Sequence, residues 1–207
     1  QTQIVSPVRV GFGALVPAGC ALRRDVPDGR MVGQSGLAID SDFDPRVLGA
    51  VAPKLVATAD YVANLWALRQ VYTQVRVPLA AGDALGEELE VAAIAQIDAA
   101  LAERCKRLAA YVARLPQSLA VHRERAEAGV EGAAKRVREH EQALAQWPTL
   151  AARLRGGDAT APQLDELLDA MLAQRGRSWP DAIRALPEAV VARASAALAA
   201  YVGALAA

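Results

Sequence analysis

Residues 4–33 read IVSPVR-VGFGAL-VPAGCA-LRRDVP-DGRMVG when divided every six residues. The first place of each block holds Ile4, Val10, Val16 and Leu22 before lapsing to Asp28. The fifth holds Val8, Ala14, Cys20, Val26 and Val32, and Gly11 and Pro17 stand second in their blocks. No helical periodicity runs through this stretch. Beyond about residue 40 the text changes, and long Ala, Leu, Glu and Arg segments carry apolar residues three and four apart.

The later text dominates the composition. Of 207 residues, 53% are hydrophobic and only 4% aromatic, but 47 are alanine, so the share of larger apolar residues is near 30%. Alanine has the highest helix propensity and adds little core volume, so such a chain folds as helices held together by Leu and Val. Twenty-three Lys and Arg balance 23 Asp and Glu. That neutrality argues against a broad electrostatic footprint for nucleic acid or an anionic membrane. The longest spanning candidate, Leu186 to Ala207, is interrupted by Glu188 and Arg193 and rich in alanine, so no membrane span is expected. Cys20 and Cys105 lie far apart, without the dense spacing of a disulfide scaffold or zinc site, and read as reduced thiols.

Punctuation divides the helical part. Asp44 can cap a helix whose first position is Pro45, and Pro53 should interrupt or kink it before an apolar stripe from Leu55 to Val75 ends at Pro78. Leu79 to Leu85 reads as a connection. A second helix, with Glu87, Glu88 and Glu90 in its first turn, runs to Pro116. Leu119 to Trp147 reads as one long, highly charged helix whose Val130, Val137 and Leu144 recur every seven residues as a narrow coiled-coil-like seam. Gly129 and Gly132 each cost it about 1 kcal/mol relative to alanine and mark a point of irregularity. After Pro148 a short helix should end at Gly156-Gly157. Thr160 with Pro162 opens a helix bearing Leu164, Leu167, Leu168, Met171 and Leu172, Ser178 caps a short turn, and Pro187 starts the last helix. The expectation is a mainly α protein: a bundle of about five to six helices over residues 41–207, preceded by a short β segment over 1–40.

The β segment has a physical requirement. A triangular parallel β-helix spends one hexapeptide on each flat side, which turns a medium aliphatic and a small residue inward and leaves the corners to turn-tolerant residues. The stretch Val10 to Val32 resembles the last coil of the hexapeptide-repeat, left-handed β-helix proteins. Within it Arg24-Asp25-Val26-Pro27-Asp28-Gly29 resembles the phrase at which many of those β-helices close. The resemblance covers about 35 of the 207 residues. It implies the end of a left-handed β-helix, usually assembled as a trimer, from a parent of the acyltransferase or sugar-nucleotidyltransferase class. Its ligand would then be a phosphorylated sugar, a nucleotide-sugar or an acyl-CoA.

Two features limit that implication. Thirty residues make only about one and two-thirds coils, too few to bury their own faces, so upstream chain, the helices or other subunits must cover them. The chain begins at Gln1 rather than Met, and a longer parent protein is expected. Family acyltransferases usually carry a coil histidine as base, whereas residues 1–40 contain none, and no GxGxxG or P-loop pattern is present.

Candidate chemistry is sparse. His122 and His140 are the only histidines; His140-Glu141 starts like HExxH, but Leu144 stands where the second histidine belongs, and both read as solvated surface residues. Cys20 occupies an inward place of the repeat. Cys105 adjoins Arg104, Lys106 and Arg107, which can lower a thiol pKa, though no His or Asn beside it completes a catalytic set. Arg23 and Arg24, with Arg104 and Arg107, are the candidate anion-binding residues. Asp165, Glu166 and Asp169 read as exposed carboxylates, and Tyr61, Trp66 and Tyr72 as core. No catalytic set, metal site or cofactor is expected.

The sequence therefore points to a cytoplasmic, homo-oligomeric segment of a transferase-like protein that serves assembly or substrate-side specificity. The alternative is a free-standing helical interaction protein with an N-terminal β-hairpin. A third is an enzyme with a pocket between helices lined by the arginine clusters.

Overall fold

The structure is a computed structural model that describes residues 3–5, 8–11, 14, 16, 19–27, 29–30, 32, 44, 46–156 and 159–207. The chain divides into two compact units, Gln1–Asp44 and Pro45–Ala207. The boundary expected between residues 40 and 41 falls outside the described residues.

In the first unit β1 (Gln3–Ile4) pairs with β2 (Ala21–Leu22) in parallel, Gln3 against Ala21 and Ile4 against Leu22. The offset is 18 residues, three blocks of six. The amides of Gln3 and Val5 donate to the carbonyls of Cys20 and Leu22, each at 2.9 Å. Further along, Val10 bridges Val26, also in parallel, at an offset of only 16. The second pass is therefore two residues shorter there, and the Asp25 carboxylate fills the gap by accepting the Arg9 amide at 2.7 Å. Cys20, Leu22 and Val26 are buried, whereas Ile4 is 57% and Val10 44% exposed. A β-hairpin requires antiparallel neighbours, so the hairpin expected in the alternative reading is not what these strands form.

The second unit is helical: α1 (Val51–Val71), a π-helical turn (Tyr72–Arg76), α2 (Val77–Ala80), α3 (Ala84–Val112), α4 (Leu115–Glu127), α5 (Ala133–Leu154), α6 (Asp165–Leu172), α7 (Trp179–Arg184) and α8 (Glu188–Ala206). Six of these helices have eight residues or more, so the described chain is mainly α with a short β segment. α1 lies at the centre, packed against α3, α5 and α8. Val51, Leu55, Ala59 and Val62 on one face join Ile97, Leu101, Leu108, Val112 and Leu154. Ala63 and Ala67 on another face receive Tyr201 and Leu205 of α8, two small side chains that admit a close neighbour. A third cluster gathers Val75, Leu164, Met171 and Ala182. Burying each Val, Leu or Met side chain in these clusters contributes about 1.5–3 kcal/mol.

The prolines act differently from expectation. No helix starts at Asp44; α1 begins at Val51 after Ala50, whose φ of 49° is left-handed. Pro53 falls in the first turn, where backbone amides have no intrahelical acceptor, and so causes no break. Pro78 does not end the stripe either. The π-turn before it widens the helix, with the Val77 amide reaching back to Tyr72, and accommodates the ring that an α-turn would press against the Gln74 carbonyl. Only residues 81–83 remain as the connection to α3. Pro148 sits inside α5 on an exposed face, where water can satisfy the carbonyl it leaves without a donor.

The largest departure is the third helix. Residues 119–147 are not continuous: Gly129 (φ 73°) and Gly132 (φ 76°) both take left-handed conformations and fold α4 back against α5. The seam headed by Val130 therefore does not form, and Val130 lies 51% exposed in the turn. The C-terminal helix also differs from expectation. α8 is long and apolar enough to cross a membrane, because its only charges, Glu188 and Arg193, fall in its first six residues. Here it lies along α1 and buries Val190, Tyr201 and Leu205.

Candidate functional site

The four predicted arginines are divided between the two units. Arg23 and Arg24 are exposed in the β unit just after β2. In the helical unit the Arg104 guanidinium lies 5.0 Å over the Tyr61 ring, and Arg107 Nε donates to Glu103 Oε1 at 2.6 Å, one turn away on α3. Tyr61 is thus a half-exposed platform for Arg104 rather than core, whereas Trp66 and Tyr72 do pack on the main cluster. Of the acidic candidates, Glu166 is held by Arg193 of α8. Among the described residues no group of three or more His, Cys, Asp and Glu can hold a metal ion.

Sequence reasoning misplaced the polar centre of this unit. His140 is 0% and His122 5% exposed, not solvated. Their rings meet edge to face with centroids 4.9 Å apart, between α4 and α5. In a continuous helix their sequence separation of 18 would place them about 27 Å apart; the turn at Gly129 and Gly132 brings them together. Ser118, also fully buried, completes the cluster. It stands four residues before His122 and so shares its face of α4.

The hydrogen bonds determine the protonation pattern. His140 Nδ1 lies 2.8 Å from the Arg136 carbonyl, which can only accept, so Nδ1 carries the proton. Nε2 is then the acceptor for the Ser118 hydroxyl at 2.9 Å, and Ser118 Oγ in turn accepts the Leu48 amide at 2.9 Å. The His122 ring donates to the Leu48 carbonyl. This bond runs through Nδ1, because His122 Nε2 is buried without any partner. Both main-chain groups of Leu48, three residues before α1, are therefore held by side chains of α4.

A serine hydroxyl on an imidazole whose other nitrogen is fixed by an acceptor is the arrangement that activates a nucleophile. Here the hydroxyl is fully buried and already accepts the Leu48 amide. The cluster is suited to holding a segment, not attacking a substrate. Burial pushes the His122 pKa below the usual histidine range. The Leu48 bond opposes that shift, while His140, Arg125 and Arg136 add to it.

A second convergence closes the end of α5. Trp66 Nε1 donates to the Leu154 carbonyl at 2.8 Å, and Cys105 Sγ lies 3.8 Å from the same oxygen. Gly156, at φ 78°, is the expected C-terminal glycine and lies against the Trp66 ring. Contrary to the expectation of a lowered value, burial pushes the Cys105 thiol up, with only Arg155 opposing. Cys20 is buried, as its inward place in the repeat implied. A groove of about 400 Å³ between α1, α5 and the end of α8 is lined by Leu55, Val56, Trp147, Leu150, Glu139 and Arg153. A smaller one of about 210 Å³ beside Cys105 includes Lys106 and Arg155. Neither draws on Arg104 or Arg107.

Comparison with protein-family models, curated proteins and solved structures finds no match to this chain.

Proposed function

We propose that this chain is the C-terminal part of a hexapeptide-repeat, transferase-like protein of the sugar-nucleotidyltransferase or acyltransferase class. Residues 4–33 form the closing coil of a left-handed β-helix, and the helical unit serves assembly or substrate-side specificity rather than bond chemistry. The observation that carries this reading is the parallel register of β1 and β2 at 18 residues, the length of one three-sided coil built from hexapeptides. The exposed Ile4 and Val10 and the inward Cys20, Leu22 and Val26 fit a stack covered on one side only. The shortened pass at Asp25 fits a coil that is closing.

On this reading the protein is a cytoplasmic trimer assembled through the β-helix. Its ligand is a phosphorylated sugar, nucleotide-sugar or acyl-CoA, contacted in part by exposed arginines such as Arg23 and Arg24. Sedimentation equilibrium of the 21.8 kDa chain should give three times that mass. Val26→Asp, which places a carboxylate in the buried stack, should reduce it to the monomer while the helical circular dichroism is retained. A monomeric native chain, or a trimer indifferent to Val26→Asp, would overturn the β-helix account. Calorimetric titration with a uridine diphosphate sugar and with acetyl-CoA then distinguishes the two transferase classes.

A further inference from the structure

The buried polar cluster between α4 and α5 is larger than packing alone requires. Three buried polar side chains, Ser118, His122 and His140, hold a single residue of the segment through which the chain enters the helical unit. Three apolar side chains would fill the same space with no hydrogen bonds to satisfy. The cluster has no place for a proton at His122 Nε2, which is buried without a hydrogen-bond partner.

We propose that this cluster is a pH-sensitive latch: protonation of His122 expels its ring from between α4 and α5 and releases the Leu48 segment from these two helices. A proton added at His122 Nε2 creates a buried N–H with no partner and a buried charge beside the His140 ring. Among the described residues, none of the charged groups that act on the ring is an acid. On α4 it meets Arg125. On α5 it meets His140 and Arg136, the latter bonded to Glu139 at 2.8 Å, while Glu141 is taken by Arg123 at 2.7 Å. The charged residues that most closely precede Leu48 in sequence are Asp44 and Arg46, one of each sign. The native site thus favours the neutral ring, and the ordinary imidazole value near 6.5 is available only when the site opens. Acidification therefore shifts the population toward the open form. The segment released follows directly on the β unit in sequence. This inference does not depend on the transferase reading.

Amide hydrogen exchange of the full chain at about pH 7.5 and about pH 5.5, either side of the ordinary imidazole value and corrected for intrinsic rates, tests it. Peptides covering residues 46–50 should lose protection at least tenfold at the lower pH while those from α8 hold theirs. His122→Phe keeps an aromatic ring but cannot take a proton, and should abolish the difference. Should that variant fail to fold, proton–nitrogen correlation spectra of the wild-type histidine rings serve instead. His122 should become protonated over the same pH interval in which the Leu48 amide is released. Equal protection at both pH values, a pH effect that survives in His122→Phe, or a protonated His122 with Leu48 still protected would each overturn the latch.

Discussion

Replacing Gly156 by alanine should be among the more damaging single-methyl additions in this chain, and its cost can be worked out in parts. Gly156 holds φ at 78°, where a Cβ costs about 1–2 kcal/mol by steric conflict with the backbone. An ideal Cβ there would also lie 2.8 Å from Trp66 Cζ2 and 2.9 Å from Cη2, inside any real carbon–carbon contact. The indole is not free to retreat, because its Nε1 is tied to the Leu154 carbonyl. Among the described residues, moving it leaves that oxygen with only the distant Cys105 thiol, a loss of about 1–3 kcal/mol. Gly156→Ala should therefore cost roughly 2–5 kcal/mol in total. Gly129→Ala is the control: φ is 73°, nothing lies within 4 Å of its Cβ, and only the backbone part, about 1–2 kcal/mol, applies. Urea denaturation followed by helical circular dichroism measures both. In a Trp66→Phe background, which removes the two clashing atoms, the cost of Gly156→Ala should fall to that of the control. Equal costs for the two glycines in the wild-type background, within about 0.5 kcal/mol, would refute the reasoning.

Other substitutions probe the remaining features. Ala50→Gly relieves the one described left-handed residue that is not glycine and should raise stability by about 0.5–1 kcal/mol in the same denaturation assay. Ser118→Ala orphans both the Leu48 amide and His140 Nε2 and should cost about 2–4 kcal/mol, with amide exchange at Leu48 accelerated. Because the native His122 value is depressed, the unfolded chain binds the proton first. Stability should be full above about pH 6.5 and decline as pH falls toward the native value, a slope that is reduced in His122→Phe. With the Cys105 thiol pushed up by burial, its alkylation by iodoacetamide near neutral pH should be slower than that of a free cysteine, and the rate should climb only above the usual thiol range.

The helical class was legible because it rests on a bulk property: alanine, leucine and glutamate in quantity leave few other solutions. Local punctuation was legible where one residue has one role. Ser178, for example, accepts the Asp181 amide at the start of α7, and Gly156 ends α5. Prolines were misread because their effect depends on position. Pro53 falls in a first turn, where it costs little, and Pro78 is accommodated by a π-turn that no spacing rule anticipates, whereas Pro116 does follow the end of α3 as expected. The histidine cluster was invisible for a topological reason. Its members are on one face only once two glycines choose φ above zero, and glycine in a charged helical text signals weakness without saying whether the chain bends or reverses. A polar neighbourhood along the sequence was taken for a polar neighbourhood in space. Ser118 and His122, four apart, were the available clue to a shared face.

The β edge described above has a consequence for how copies of this chain meet. Among the described residues the side of β1 away from β2 carries no strand, and Ile4 and Val10 stand uncovered beside it. Such an edge presents main-chain donors and acceptors in a row, ready to template another strand. Association through the edge would proceed along the stacking axis by a head-to-tail contact that need not close, whereas a ring of subunits side by side closes on itself. On the proposed trimer reading, this open-ended mode would compete with an assembly of defined size. In a preparation of this segment their balance should appear as a concentration-dependent tail of heavier species above the closed assembly.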